Sequence, residues 1–171
     1  MIYFTSDLHL GHRGIIEMRN RPFENVEEMN HILLRNYNAL VRKNDIVYIL
    51  GDICHHMLVE QANELIGKMK GKKILVKGNH DKIYDKNLFD EVCDFKTISL
   101  NGIYLALMHY PMLSWPKKNS GSIQLHGHIH SDEMYNLENK IAGIRRYDVG
   151  VDANGFYPVS IKQIIEFFGG T

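Results

Sequence analysis

The first half of the chain alternates between short apolar runs and stretches in which apolar residues recur at helical spacing. Residues 2–6, 45–50 and 74–76 are rich in β-branched and aromatic side chains and are nearly continuous in apolar character. Such runs are typical of strands that are buried on both faces of a sheet. Between them, apolar residues at 29–41 and 60–70 fall on one face of a helix. The pattern therefore predicts the order β-α-β-α-β, with parallel strands joined by right-handed crossovers.

The second half of the chain begins with a hairpin signal. Residues 96–100 and 103–108 flank Asn101-Gly102, and this dipeptide favours a two-residue turn between antiparallel strands. Residues 122–125 and 147–152 are further candidate strands. We therefore expect antiparallel strands to follow the parallel ones.

Capping residues mark where two helices begin. Asn25 is followed three positions later by an acidic residue, and Ser160 is followed by Gln163 at the spacing of a capping box. Residues 13–24 and 81–94 are expected to form loops, the second with a short helix. The helix after Ser160 is then the last element of the chain.

The composition is that of one globular domain of ordinary size. The chain has 171 residues, 44% hydrophobic and 23% charged, so it can bury a sizeable core. Its formal net charge is zero, so no whole-molecule field attracts nucleic acid or an acidic membrane surface. Cys54 and Cys93 are its only cysteines, which favours a reducing compartment over a disulfide framework. Because no signal-peptide pattern and no long apolar stretch is present, we expect a soluble cytoplasmic protein.

Side chains that bind metals or carry protons follow five of the predicted strands. They are Asp7 and His9, Asp52, Asn79 and His80, His109, and His128 and His130. Taken singly, each has an ordinary structural explanation, such as a turn-forming aspartate, an Asx turn or a buried histidine. Ligands of open α/β sheets gather at the carboxyl ends of strands. All five groups fall at such ends, which favours one shared site.

The number of candidate metal ligands exceeds what one divalent ion can use. Three offer oxygen (Asp7, Asp52, Asn79) and four offer an imidazole nitrogen (His9, His109, His128, His130). Two ions about 3.5–4 Å apart, bridged by a shared carboxylate, would use them all and leave positions for substrate and water. Mixed nitrogen and oxygen donors suit Mn, Fe or Zn. Such a pair acidifies a bridging water and clamps the attacking and leaving oxygens, so the expected chemistry is phosphoester hydrolysis.

These motifs resemble those of the calcineurin-like metallophosphoesterases. The matching segments, in the family's order, are Asp7-Leu8-His9, Gly51-Asp52, Gly78-Asn79-His80-Asp81, His109 and Gly127-His128-Ile129-His130. Within the family the chain is most similar to the small, cap-less bacterial and phage phosphoesterases. The resemblance implies an α/β fold, a four-layer α/β/β/α sandwich with mixed sheets, as a single metallophosphoesterase domain over residues 1–171.

The resemblance also implies a role for each matching residue. The first ion would be held by Asp7, His9 and His130, and the second by Asn79, His109 and His128, with Asp52 bridging them. Two divalent ions are implied, with Mn expected and Fe, Zn, Ni or Mg as alternatives. His80 would donate a proton to the leaving oxygen. Asp81 would either orient His80 or cap a turn, and both interpretations stay open.

The chain departs from the family pattern after the bridging aspartate. The family often has Asp, Asn or Arg three residues later, whereas this chain has His55 followed by His56. His12 and His55 are candidate substrate-binding residues, with an exposed loop histidine as the alternative for His12. His126 is interpreted as structural.

The expected substrate is a small phosphoester, such as a nucleotide or a short oligonucleotide. Without a cap the site should be a shallow groove, which favours a phosphodiester over a monoester. Long nucleic acids are not expected, because the chain has no basic run and no aromatic stacking stripe. Arg19 and Arg21 are expected to be solvated, with phosphate binding as the alternative. The competing functions are a phosphomonoesterase of a small metabolite, a nuclease acting on short ends, and a metal-stabilised interaction module without catalysis.

Overall fold

The computed structural model describes residues 1–100 and 102–169, which form two β-sheets and several helices. The strands are β1 (Ile2–Thr5), β2 (Ile46–Ile49), β3 (Lys72–Val76), β4 (Glu91–Cys93), β5 (Lys96–Leu100), β6 (Ile103–Leu107), β7 (Ile123–His126), β8 (Arg146–Asp148) and β9 (Val159–Ser160). The helices are α1 (Arg13–Met18), α2 (Val26–Leu40), α3 (Val59–Gly67), α4 (Glu133–Ile141) and α5 (Ile161–Phe167). None of these helices is both long and apolar enough to cross a bilayer.

Both sheets are mixed. The first has the strand order β4-β3-β2-β1-β9, in which β1 to β4 are parallel and β9 is antiparallel to β1. The predicted order β-α-β-α-β is thus confirmed. The second sheet has the order β5-β6-β7-β8, and only β5 and β6 pair antiparallel. The antiparallel pair expected after the parallel strands is thus confirmed for β5 and β6. Strands β7 and β8, whose pairing was not predicted, are parallel, because long connections precede them and permit parallel crossovers.

Two apolar layers hold the sandwich together. One lies between the first sheet and the first three helices and includes Leu33, Val47 and Ile66. The other lies between the two sheets and includes Phe4 and Leu105. Helix α4 packs against β8 on the second sheet. The arrangement is the predicted four-layer α/β/β/α sandwich with mixed sheets.

Strand β7 of the second sheet also buries two polar side chains, each of which makes hydrogen-bond contacts to the backbone. The buried Gln124 amide donates to the Tyr110 carbonyl at 2.9 Å and accepts from the Met112 amide at 3.0 Å. His126 is also fully buried, with Nδ1 2.8 Å from the Gly127 carbonyl oxygen. This placement agrees with the structural interpretation of His126.

Several short elements differ from the sequence prediction. Helix α1 lies where a loop was expected, and its N-terminus has no side-chain cap that could have marked it. Strands β4 and β9 span only three and two residues, too few to produce a periodic pattern. The strand expected at 147–152 ends at Asp148 and is followed by a 3-10 turn, Asp152–Asn154.

The helix starts that were predicted from capping residues are confirmed. The Asn25 side chain accepts a hydrogen bond from the Glu28 amide, and Ser160 and Gln163 form the predicted capping box. The hairpin strands β5 and β6 pair as expected, up to Leu100 opposite Ile103. Asn101, which belongs to the predicted turn, lies outside the described residues.

Candidate metal centre

The connections after β1 and β2 run side by side and carry the first three candidate ligands. The Asp7 amide donates to the Gly51 carbonyl and the His9 amide to the Asp52 carbonyl, each at 3.0 Å. Asp7, His9 and Asp52 all have positive φ, between 52° and 56°. Such backbone costs about 1–3 kcal/mol per residue and clusters at functional sites. These backbone conformations therefore destabilise the fold locally, and they direct the three side chains toward the same site.

Two glycines allow the connections to approach closely. A Cβ on Gly51, where φ is +93°, would lie 2.6 Å from both the Gly78 Cα atom and the His109 Nδ1 atom. A Cβ on Gly127 would collide with the side chains of Ser6 and Asp7. Gly51 thus brings together two connections of the first sheet, and Gly127 lets the second sheet reach Asp7. Any side chain at either position would push the candidate ligands apart.

Asp7, His9 and His130 form the first cluster. Each offers one ligand atom, and these atoms lie within 4.8 Å of one another. The Asp7 Oδ1 atom and both ring nitrogens of His9 are buried and have no hydrogen-bond partner among the described residues. Buried polar atoms are normally paired, so unpaired ones need an explanation. A cation between these atoms would satisfy them, so the residues fit a metal ion.

Asp52 connects the first cluster to the second. Its Oδ2 atom lies 3.5 Å from His9 Nε2 and 3.5 Å from His109 Nε2. The Asn79 Oδ1 atom lies 2.9 Å from the same His109 nitrogen, and the His128 ring is 5.0 Å from the His109 ring. The His109 Nδ1 atom lies 2.7 Å from the Leu50 carbonyl, which can only accept, so Nδ1 is the donor and Nε2 faces the oxygens of Asp52 and Asn79. A cation shared by this nitrogen and these oxygens would explain why they face one another.

Burial keeps two of the imidazoles neutral, the state that metal binding requires, but it disfavours the charged form of Asp7. Burial, with help from His130 and Arg21, lowers the pKa of His9 to about 2. Burial and the nearby His109 also lower the pKa of His128. Neutral imidazoles keep the lone pair that binds a metal. Burial, followed by the neighbouring Asp148, raises the pKa of Asp7 well above its usual value, because the charged form has lost its water.

The structure brings His80 to the edge of this cluster. Its ring is half-buried, 5.5 Å from the ring of His9, and its amide donates to Asp52 Oδ1 at 2.9 Å. The Asp81 carboxylate accepts hydrogen bonds from the amides of Asp52, Ile53 and Gly78 and from the Tyr84 hydroxyl, at 2.8–3.0 Å. Within the described residues no hydrogen bond joins Asp81 to the His80 ring. Its geometry is therefore that of the turn-capping alternative.

Comparison with known proteins places the chain in a family. The sequence model of the calcineurin-like phosphoesterases matches residues 1–139. The chain belongs to the calcineurin-like phosphoesterase family. With its clustered ligand groups, this membership makes it a metal-dependent phosphoesterase.

Three other proteins are similar to this chain over most of its length. An uncharacterized protein of Methanocaldococcus jannaschii is 37% identical over 166 residues, which cover 96% of this chain and 89% of that protein. The Gene 66 protein of Mycobacterium phage L5 is 31% identical over 185 aligned residues, covering 90% of this chain and 87% of that protein. The crystal structure of a protein of unknown function from Aquifex aeolicus has a TM-score of 0.77 at 29% identity, and the match covers 97% of this chain and 98% of that one.

The phosphoesterase also contains a buried ion pair that the sequence interpretation missed. Arg21 was expected to be solvated, but its side chain is fully buried and pairs with Asp152 through Nε and Nη2, each at 2.8 Å. Arg21 also donates to the carbonyls of Asp7 and Leu8. Arg19 is exposed, as expected. The expectation for Arg21 was wrong because the fold places it against Asp152, in the 3-10 turn that follows β8 and 131 residues away in sequence.

Asp152 links this ion pair to the candidate ligand His130. Its Oδ2 atom lies 2.8 Å from His130 Nδ1, which leaves Nε2 of that ring directed toward Asp7. Burial alone would raise the pKa of Asp152, but hydrogen bonds from His130 and Arg21 outweigh it and lower the pKa to about 2. A carboxylate behind a metal-binding histidine fixes its tautomer and orientation. Asp7 and Asp52 were selected because they follow predicted strands. Asp152 is the last residue of the strand predicted at 147–152, so the same reasoning could have selected it.

The two candidate substrate-binding residues of the phosphoesterase lie together beside His80. The ring of His55 is 4.0 Å from that of His80 and 4.7 Å from that of His12. Both rings are half-buried. Burial, followed by the neighbouring His55, lowers the pKa of His12 to about 4, and burial with His80 lowers the pKa of His55. The alternative that His12 is an exposed loop histidine does not agree with this placement.

Proposed function

We propose that this phosphoesterase hydrolyses a small phosphodiester at a centre of two divalent ions. The observation that carries the proposal is the position of Asp52, whose Oδ2 atom lies 3.5 Å from a nitrogen of His9 and 3.5 Å from a nitrogen of His109. One carboxylate oxygen between two donor groups is the arrangement that a bridging ligand requires. Bound ions would supply positive charge at the phosphoryl group and acidify a water molecule.

The remaining ligands divide between the two sides of Asp52. Asp7, His9 and His130 form one side, and Asn79, His109 and His128 form the other. Each side combines oxygen with imidazole nitrogen, a donor mixture that suits Mn and also Fe, Zn or Ni, with Mg as a further alternative. We expect Mn to support turnover best.

His80 is proposed as the proton donor to the leaving oxygen. Its main chain is tied to the bridging carboxylate by the hydrogen bond to Asp52 Oδ1 at 2.9 Å, so the ring keeps a fixed distance from the centre. Its partial exposure allows a substrate oxygen to reach the ring. Histidine is the usual proton carrier near neutral pH. Asp81 acts as a positioning residue, because its carboxylate holds the Asp52 and Gly78 backbones together.

The open edge of the site supports a diester as substrate. Asn79 is exposed, and His80 and His128 are half-buried, so this edge of the groove is accessible from solvent. The His130 side chain is only 9% exposed and lies deeper. A phosphodiester carries a group on each side of its phosphate, and an open groove accommodates both. His12 and His55 are proposed to contact the substrate beside His80. A nucleotide or a short oligonucleotide suits this site, because one or two phosphates need few basic groups.

Model substrates test the proposal directly. Metal-stripped protein is assayed with bis-p-nitrophenyl phosphate and with p-nitrophenyl phosphate after Mn, Ni, Zn or Mg is added back. We expect Mn-dependent cleavage of the diester, little turnover of the monoester, and none of either in the Asp52→Asn variant. A preference for the monoester would replace the proposal with a phosphatase. Failure of every metal to support cleavage would favour the interaction module instead.

A further inference from the structure

A second group of histidines lies beside the centre and is not part of the proposed ligand set. The ring of His55 lies 4.7 Å from that of His12 and 4.0 Å from that of His56, and the rings of His12 and His56 are 4.8 Å apart. One nitrogen from each residue lies within 4.8 Å of the other two. Neutral imidazole is the commonest metal ligand in proteins. The cluster therefore has the donors of a cation site of its own.

The backbone holds the three histidines together before any ion binds. Leu10 and Cys54 form a parallel bridge, and the His55 amide donates to the Leu10 carbonyl at 3.0 Å. Between these segments lies Gly11, at φ +85°, where a Cβ would be 3.0 Å from the His55 carbonyl oxygen and would collide with the Met57 side chain. The two histidine-bearing connections are thus packed against each other, which keeps the backbones of the three histidines close together.

The burial of the rings leaves one side open for an ion. His12 and His55 are half-buried and His56 is exposed. The His12 Nδ1 atom is buried and has no hydrogen-bond partner among the described residues. Zn–N bonds are about 2.0–2.1 Å long, so nitrogens of a tetrahedral site lie about 3.4 Å apart. The three nitrogens lie within 4.8 Å of one another, so reaching that spacing requires each pair to approach by no more than about 1.4 Å. The exposed His56 places one side of the cluster at the solvent.

We infer that His12, His55 and His56 bind a third divalent cation of the zinc class, separate from the two-ion centre. Three imidazoles without a carboxylate favour Zn²⁺, Co²⁺ or Ni²⁺ over Mg²⁺ or Mn²⁺. His55 lies beside the proposed proton donor, with ring centroids 4.0 Å apart. An ion with an open position there binds a phosphate oxygen of the substrate next to His80, so His12 and His55 contact the substrate through this ion. That role rests on the proposed function, whereas cation binding itself does not.

Metal content tests this site without measuring activity. Metal-free protein is equilibrated with Zn²⁺ and separated from unbound metal, and the ions per chain are counted by mass spectrometry. We expect three ions in the wild type and two in the His56→Ala variant. His12→Gln is a second variant that should also lose one ion. His31→Ala, which removes an exposed histidine of α2, is the matched control and should keep all three.

A further variant separates the third site from the proposed centre. Asp7→Asn combined with His109→Ala removes a ligand from each side of Asp52, and this protein should still bind one Zn²⁺ that His56→Ala abolishes. Two ions in both the wild type and His56→Ala would overturn the third site and leave the two-ion proposal intact. One ion in the wild type and none in His56→Ala would overturn the two-ion centre while supporting the third site.

Discussion

At the scale of single residues, Asp7 lies in an environment that is unfavourable for a carboxylate. Its side chain is fully buried, one carboxylate oxygen lacks a hydrogen-bond partner within the part of the chain that is described, and its pKa is raised by burial and by Asp148. A group with a raised pKa stabilises the fold fully below its unfolded pKa, and that contribution is lost as the pH rises through the folded value. The metal-free protein is therefore destabilised by Asp7 near neutral pH.

The Asp7→Asn substitution separates the stability lost through the buried charge of Asp7 from the stability gained when Asp7 binds a metal ion. With chelator at pH 8, the variant should melt at a higher temperature than the wild type, because a neutral amide replaces a buried charge. The difference should shrink as the pH falls and Asp7 becomes protonated. With saturating Mn²⁺ the order should reverse, because the wild type gains a ligand that asparagine replaces poorly. Asp90→Asn, at an exposed position, is the control. A lower melting temperature of Asp7→Asn in chelator at pH 8 would contradict this explanation.

Replacing His80 separates the loss of the proposed proton donor from the loss of metal ions. His80→Ala should keep the Mn²⁺ content and reduce turnover of an aryl phosphodiester by about 10²–10⁴-fold, the usual contribution of a general acid. The measurement is kcat together with metal content of the same sample. His31→Ala serves as the histidine control. Undiminished turnover would remove His80 from the mechanism, and lost metal would make it a structural residue of the centre.

At the scale of secondary-structure elements, the sequence predicted the strand ends that carry the candidate ligands. It did not predict helix α1 or the contacts of Arg21, which follows that helix. Asp7 and Asp52 follow apolar runs whose burial the sequence makes plain, so their positions could be inferred. Helix α1 has no side-chain cap and spans six residues, which leaves no signal to distinguish it from a loop. Arg21 lies just beyond it and pairs with Asp152, 131 residues away. No local pattern predicts a contact between positions so distant in sequence.

This ion pair should contribute strongly to stability. Arg21→Met keeps most of the side-chain volume but leaves the buried Asp152 carboxylate without its cation, which typically costs about 3–5 kcal/mol. Urea unfolding of the metal-free protein measures the loss. Arg19→Met, at an exposed position of the same segment, should change the free energy of unfolding by no more than about 0.5 kcal/mol. Equal effects of the two substitutions would show that the pair contributes nothing specific.

At the scale of the whole molecule, the candidate centre lies where the two sheets meet. The first sheet supplies Asp7, His9, Asp52 and Asn79, and the second supplies His109, His128 and His130. The apolar layer between the sheets, with Phe4 and Leu105 at its middle, fixes one half of the site against the other. The candidate ligands in both halves of the centre were predicted from their positions at the ends of predicted strands. The sequence could not predict the parallel pairing of β6, β7 and β8, because long connections allow either direction.

The most direct test of the central claim is to locate the ions. Crystals grown with Mn²⁺ are measured at an X-ray energy near the manganese absorption edge. Bound manganese ions then give the strongest peaks in the anomalous difference map. We predict two peaks about 3.5–4 Å apart on either side of the Asp52 carboxylate, one near His9 and the other near His109. The histidine cluster at residues 12, 55 and 56 should not take up this ion. A single peak, or peaks that do not contact Asp52, would contradict the two-ion centre.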